Sequence, residues 1–329
     1  MLRNLITDVP GVKIGHAEDL RLGSGTTAVI FDEPAIGSVD LRGGGPGTRE
    51  TALLDPAQTV EGVDAIALSG GSAFGLDAAS GVQAWLRENA RGFAVGTARV
   101  PIVPAAILFD LLNGGDKSWK RFPPYRELGY AAAAAAGVDF ALGTVGAGTG
   151  ATTVNCKGGI GSASAQTPDG HIVGAIAAVN AAGSVVIGGG PWFWAAPFER
   201  DAEFGGLGLP AAFPAAALQP LTKGALRQST TLVVVATDAV LTKAQAKRLA
   251  IMAQSGLSRA IYPVHTPLDG DVVFAASTAR RPLADTLLGL TLLGAIAADV
   301  VARAVARGVF SASTLPFAGP PKSWKDQFG

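Results

Sequence analysis

Cysteine is nearly absent from this 329-residue chain, and histidine is scarce. The one thiol, Cys156, can form no disulfide within the chain, so a disulfide scaffold is excluded and the redox reading is a reducing compartment. Three histidines, His16, His171 and His265, leave little from which to build a multi-histidine metal site, and neither a metal nor a cofactor is expected. Charge is also short: only 16% of residues are charged, and 26 basic side chains cancel 26 acidic ones. No electrostatic footprint for nucleic acid or an anionic membrane results. Long apolar runs are missing as well. The strongest candidate, TLLGLTLLGAIAA at 286–298, has 13 residues, fewer than the roughly 18 to 20 that a membrane span needs, and reads as a buried helix. Residues 1–20 carry Asp8, Lys13 and Glu18 with no continuous apolar core, so no secretory signal is read and a cytoplasmic protein without a membrane partner is expected. No G-K-[ST] follows any glycine-rich stretch, which excludes a P-loop. Gly146, Gly148 and Gly150 run into Thr152, Thr153 and Val154 where a dinucleotide-binding loop needs a helix.

What the chain has in quantity is apolar residues, 48%, and 44 glycines without a collagen period, enough for a large core with many tight turns. Strands and helices alternate. GTTAVIFD (25–32) and GVDAIALS (62–69) read as strands. Residues 72–89 carry apolar positions at helical spacing, with Ser72 as the N-cap. Residues 171–187 read as two strands around Asn180, and TLVVVAT (231–237) as a strand buried on both faces. A helix with a Thr242 cap follows over 242–254. The tail, 311–329, reads as loosely held.

One segment does not fit a compact domain. Residues 188–228 form a 41-residue run punctuated by Gly, Pro and Ala without a sustained period, and loops beyond about 12 to 15 residues are functional or disordered. It reads as a linker, or as the flexible arm in front of a cut. It stops at Ser229, Thr230 and Thr231, hydroxyl residues that open the most hydrophobic strand. A threonine at a new chain terminus carries its own base, a free α-amine, whose pKa of about 7.7 to 8.0 leaves a substantial fraction neutral near physiological pH. No histidine is then required. A threonine before a strand is equally a good strand former.

Seven blocks carry a resemblance that runs the length of the chain: ITDVPGVKIGHAED (6–19), GGGPGTRETALLDP (43–56), ALSGGSAFGLDAASGV (67–82), VPIVPAAILFDL (100–111), KGGIGSAS (157–164), VGAIAAVNAAGS (173–184) and STTLVVVATDAVLTKAQAKRLA (229–250). Together they resemble the self-processing aminopeptidases (peptidase family S58) that include the L-aminopeptidase/D-esterases, the β-peptidyl aminopeptidases and the nylon-oligomer hydrolases. The resemblance implies an α/β fold, a four-layer αββα sandwich of the N-terminal-nucleophile hydrolase type also seen in ornithine acetyltransferases. It implies one catalytic domain, 1–329, cut into an α chain, 1–229, and a β chain, 230–329, that stay associated, with 188–228 as the flexible segment before the cut. It also implies a homo-oligomer, expected as a tetramer, and a small peptide or amino-acid amide as substrate.

Carried over residue by residue, the resemblance makes Thr230 the nucleophile, with Ser229 and Thr231 as chemically able neighbours and Ser229 standing where the nylon-hydrolase branch has Asn. Asp269 and Asp271, two apart and on one face if extended, resemble the acidic pair that orients the terminal amine and hydroxyl. Read alone they are an Asp-Gly turn. Asn180 resembles the oxyanion residue, and read alone caps a strand. Lys157 matches a lysine near the site, and read alone is a loop charge. Trp192, Phe193 and Trp194 form a cleft wall or simple packing. Cys156 lacks a histidine partner and reads as a small buried residue. Two other functions fit the same fold: an acyltransferase of the ornithine-acetyltransferase type using the same threonine, and a non-catalytic metabolite-binding protein.

Overall fold

The computed structural model describes residues 2–224 and 228–329. The strands are β1 (Val12–Asp19), β2 (Ser24–Leu41), β3 (Gly47–Arg49), β4 (Gly62–Ser69), β5 (Phe93–Val95), β6 (Ala98–Val100), β7 (Ala105–Ile107), β8 (Ile160–Gln166), β9 (Ile172–Asn180), β10 (Thr230–Ala239) and β11 (Val272–Arg281). The helices are α1 (Ala78–Glu88), α2 (Tyr125–Ala134), α3 (Lys243–Ala260), α4 (Thr286–Phe310) and α5 (Trp324–Phe328). One hydrogen-bonded ladder runs β3-β7-β4-β2-β11-β10-β9-β8, with β1 on β2, while β5 and β6 form a separate hairpin.

The ladder folds over at β2. Its first half pairs with β1 and β4, and its second half, from Ile36 to Leu41, pairs with β11. The register slips between Ile30 and Ala35, around exposed Asp32, Glu33 and Pro34. Proline donates no ladder hydrogen bond and suits such a bulge.

Because successive strand side chains alternate faces, core membership shows the layers. Ala28 and Ile30 of β2 pack with Val82 and Leu86 of α1 and Ala132 of α2. Val29 and Phe31 pack with Leu232 and Val234 of β10 and Phe274 of β11. Val233 and Val235 face Leu249 of α3 and Val301 of α4. Helices, sheet, sheet and helices therefore stack around three apolar seams, the expected αββα order. β10 is buried along its whole length, antiparallel to β9 and parallel to β11.

Thr242 caps α3 as expected, with a reciprocal capping box to Gln245. Three local expectations are corrected, and the buried-helix reading of 286–298 is borne out over a longer span. Residues 72–77 form a 3-10 turn, and the α-helix starts only at Ala78. Ser72 has φ +52° and makes no cap. After Asn180 there is no second strand, because the Ala182 N–H goes to the Asp269 side chain and Ser184 bridges to Tyr262. The apolar run at 286–298 is part of a 25-residue helix, long and apolar enough to cross a membrane by length and composition alone, yet packed on α3, β8 and β9. The tail is held: Trp324 is buried against Phe193 and Phe310, and its indole N–H donates to Pro191 O at 3.0 Å.

Residues 188–224 contain no strand and one short 3-10 turn, but they are not uniformly loose. Phe193, Ala195 and Phe204 reach the α3/α4 core, and buried Glu203 pairs with Arg303 of α4. Residues 225–227 of that run lie outside the described residues.

Close helix–sheet packing yields a test. A Cβ on Gly161 of β8 would stand 1.9 Å from Ala304 O of α4, backbone that cannot swing aside. A Cβ on Gly137 meets only Asp139 O at 3.8 Å. Gly161→Ala should lower the thermal midpoint by several degrees, at a cost of about 1 to 3 kcal/mol for overpacking, while Gly137→Ala leaves it unchanged or slightly higher.

Candidate active site

The N-terminal end of β10 enters between β9 and the loop ahead of β11. On one side Thr230 is the antiparallel partner of Asn180. On the other, Ser229 bridges in parallel to Asp269: Ser229 N donates to Leu268 O at 3.0 Å, and Gly270 N donates to Ser229 O at 2.7 Å. The approach is close because residue 270 has no side chain. A Cβ there would lie 2.7 Å from Thr230 Oγ1 and 2.7 Å from Gly45 O. The GGGPG stretch packs over this loop, with Gly45 N donating to Asp269 O at 2.8 Å.

The three neighbouring hydroxyls differ in what they meet. Thr230 Oγ1 donates to Ser229 O at 2.6 Å, the carbonyl of the peptide bond just before it. Ser229 Oγ and Thr231 Oγ1 are buried without a hydrogen-bond partner among the described residues.

Asp269 and Asp271 are each 1% exposed, and the structure brings both to this point. Asp269 accepts from Ala182 N at 3.1 Å, and from Thr266 N at 2.9 Å and Thr266 Oγ1 at 2.8 Å. Asp271 accepts from Thr231 N at 2.7 Å and His265 N at 3.2 Å, with His265 Nδ1 at 2.9 Å. Burial, and then the charge of Asp271, push the Asp269 carboxyl above its usual range. His265 and Thr266 are partners that spacing alone does not reveal. Their signal is only that they share the PVHTPLDGD block with the two acids.

Asn180 is 1% exposed and its amide orientation is fixed by unambiguous partners. The Thr152 N–H donates to Oδ1 at 3.0 Å, so Nδ2 faces and donates to Phe109 O at 3.2 Å. Lys223, unmarked by any motif, donates to the same Oδ1 at 3.2 Å and to Thr152 O at 2.7 Å. A cleft lined by Phe109, Asp110, Asn113, Thr152, Lys223 and Gln228 adjoins this group.

Lys157 is fully buried, and its ammonium donates to Gly148 O and Gly158 O at 2.9 and 2.7 Å. Among the described residues it makes no hydrogen bond to Thr230, Asn180 or either acid. Its backbone bridges to Thr152, one step behind Asn180. Burial pulls it down to about 7, against the opposing pull of Asp110. Cys156 is buried and its thiol is pushed up to about 11, which suits packing and not nucleophilic chemistry. Phe193 is core, whereas Trp194 lines a 220 Å³ cavity with Ser184, Leu221 and Tyr262. No group of three or more His, Cys, Asp or Glu able to hold a metal ion occurs among the described residues.

A family model described as peptidase family S58 matches residues 4–320. The chain belongs to this family. It is 47% identical over 349 aligned residues to a Mycobacterium tuberculosis protein named an uncharacterized aminopeptidase, covering 99% of this chain and 98% of that protein. It is 29% identical over 324 residues to a 6-aminohexanoate-oligomer endohydrolase of Paenarthrobacter ureafaciens, covering 91% and 84%. The solved L-aminopeptidase D-Ala-esterase/amidase of Ochrobactrum anthropi superposes with TM-score 0.69 over 94% of this chain and 86% of that one, at 21% identity. That likeness shows the fold, a variant of the N-terminal-nucleophile hydrolases. This S58 member is therefore a peptidase-type hydrolase on an αββα frame.

The buried lysine sets a pH test. Its folded value, about 7, lies below the ordinary 10.5, so between these the unfolded chain binds more protons and stability rises with pH. The penalty for burying the ammonium is fully present below pH 7 and is relieved above it. Thermal midpoints of wild type and Lys157→Met, taken from pH 6 to 9.5, should diverge in favour of wild type as pH rises. A constant difference contradicts the assignment.

Proposed function

We propose that this chain is an N-terminal-nucleophile hydrolase that cuts its own Ser229–Thr230 bond and then hydrolyses amide bonds of short substrates with Thr230 as nucleophile. The observation that carries the reading is the position of Thr230 Oγ1, 2.6 Å from the oxygen of the carbonyl it must attack, while Gly270 N–H holds that same oxygen at 2.7 Å. Attack of Oγ1 on the Ser229 carbonyl carbon makes a tetrahedral centre whose oxyanion Gly270 N–H stabilises. The proton leaving Oγ1 is passed to the Thr230 nitrogen as collapse breaks the C–N bond, and an ester joins Ser229 to Thr230. Water hydrolyses the ester, leaving a Ser229 carboxylate and a free Thr230 amine. The two idle neighbouring hydroxyls favour Thr230 among the three candidates.

In the cut chain the α-amine takes the hydroxyl proton during attack on substrate and returns it to the leaving amine. Asp269 and Asp271 hold the strand end and its flanking loop, and Asn180, the cross-strand partner of Thr230, would stabilise an oxyanion through the Nδ2 hydrogen that Phe109 O does not take. The fragments stay together because β10 and β11 pair with β9 and β2 of the other fragment. Relatives named for aminopeptidase and 6-aminohexanoate-oligomer hydrolysis support a substrate class of small peptides, amino-acid amides or short amino-acid oligomers with a free amine. The exposed apolar hairpin of Phe93, Val95 and Val100 supports a homo-oligomer.

On a denaturing gel, wild type and Thr230→Ser should appear as fragments of 229 and 100 residues, as should Ser229→Ala, whereas Thr230→Ala stays a single inactive chain. An intact, fully active wild type overturns the proposal. Asp269→Asn and Asp271→Asn should each lower kcat by about 10² or more, the scale of one positioned catalytic partner, with the fold retained by circular dichroism. Near wild-type turnover in both returns the pair to a structural turn.

A further inference from the structure

Lys223 lies six residues ahead of Ser229, yet its ammonium is placed inside the site, on Thr152 O and Asn180 Oδ1. Its backbone N–H donates to Ala182 O at 3.3 Å, which lays this part of the run alongside the end of β9. Asn180 is one cross-strand step from Thr230. The same cleft is lined by Asp110, whose carboxyl is buried and takes hydrogen bonds from Ser24 Oγ at 2.6 Å and Gly71 N at 2.8 Å. Every oxygen of Asp269 and Asp271, by contrast, already meets a donor of the chain itself.

A primary ammonium needs several oxygen acceptors converging on a point, and gains from a carboxylate nearby in a poorly solvated setting. Thr152 O and Asn180 Oδ1, with Asp110 in the wall, meet those needs beside the nucleophile. We propose that these two oxygens, backed by Asp110, are the subsite for the substrate's free ammonium group, and that Lys223 fills it in the uncut chain as a built-in stand-in for substrate. The ligand class is an amide whose acyl part carries a primary ammonium. The proposal rests on Thr230 as nucleophile for its role in turnover, but not for binding itself.

Once the chain is cut after Ser229, Lys223 is no longer joined to Thr230 through the backbone, so it competes with substrate instead of blocking it permanently. Cutting would thus both create the nucleophile and release the group that occupies its ammonium subsite.

The binding test needs no cleavage. n-Butylammonium chloride is titrated by calorimetry, at fixed ionic strength, into intact Thr230→Ala and into Thr230→Ala/Lys223→Met, with n-butanol as the uncharged control. The methionine keeps most of the side chain's length and removes its charge. Affinity for n-butylammonium should rise about tenfold or more when Lys223 is gone, the scale of a charge-assisted hydrogen bond, and n-butanol should show no such gain. Equal n-butylammonium affinity in both proteins overturns the proposal even if wild type cuts itself, and a wild type that never cuts leaves the binding result to stand. In the cut enzyme, Lys223→Met should lower KM for alanine p-nitroanilide with kcat unchanged and leave kcat/KM for its N-acetyl form unaltered. An equal gain on both substrates means that Lys223 merely obstructs the cleft, and contradicts an ammonium subsite.

Discussion

The hydrogen bond from Gly270 N–H to Ser229 O is the constraint on which the site depends. It joins the end of β10 to the loop ahead of β11, and it does so at the one carbonyl that the Thr230 hydroxyl faces. Its 2.7 Å length requires a residue without a side chain at 270, since a Cβ would collide with Thr230 Oγ1. Both neighbours of that glycine are aspartates. Their carboxylates reach to either side, one to Ala182 after β9 and the other to Thr231 within β10, so the acidic pair clamps the three strand ends that meet there.

Burying two carboxylates so close together is costly unless donors surround them. Backbone N–H groups of Ala182, Thr231, His265 and Thr266 supply that compensation, and the raised carboxyl of Asp269 records the remaining cost. A second buried set lies behind Asn180. Lys157 rests on two glycine carbonyls, with Asp110 the opposing charge nearby. The helices and the two sheets supply the dry surroundings in which such groups act strongly. That frame is also what holds β10 in place, since its alternate residues fill the inter-sheet seam and the α3/α4 seam in turn.

Much of this was legible in the chain before its fold. The run from Thr231 to Thr237 carries no charge and is buried on both faces, and Thr242 with Gln245 spells a capping box that the structure contains. The spacing of Asp269 and Asp271 predicts carboxylates that converge on one amine; in the fold both lie at the start of β10, each held by its own donors. Other features were hidden for physical reasons. The turn at Ser72 depends on a left-handed backbone, where helical spacing of apolar residues predicts a regular start. Trp324 finds Phe193 across 131 positions of sequence, so the tail looks polar and loose when read locally. Lys223 and His265 matter through contacts made by folding, and neither stands in a pattern that singles it out.

The central claim, that Thr230 becomes a chain terminus, is tested most directly by sequential N-terminal degradation of the purified wild-type protein. The account predicts two sequences, one from the start of the chain and one reading Thr-Thr-Leu-Val-Val from Thr230 onward. A single sequence from the start of the chain in a fully active enzyme, or a second sequence opening at Ser229 or Thr231, would contradict it.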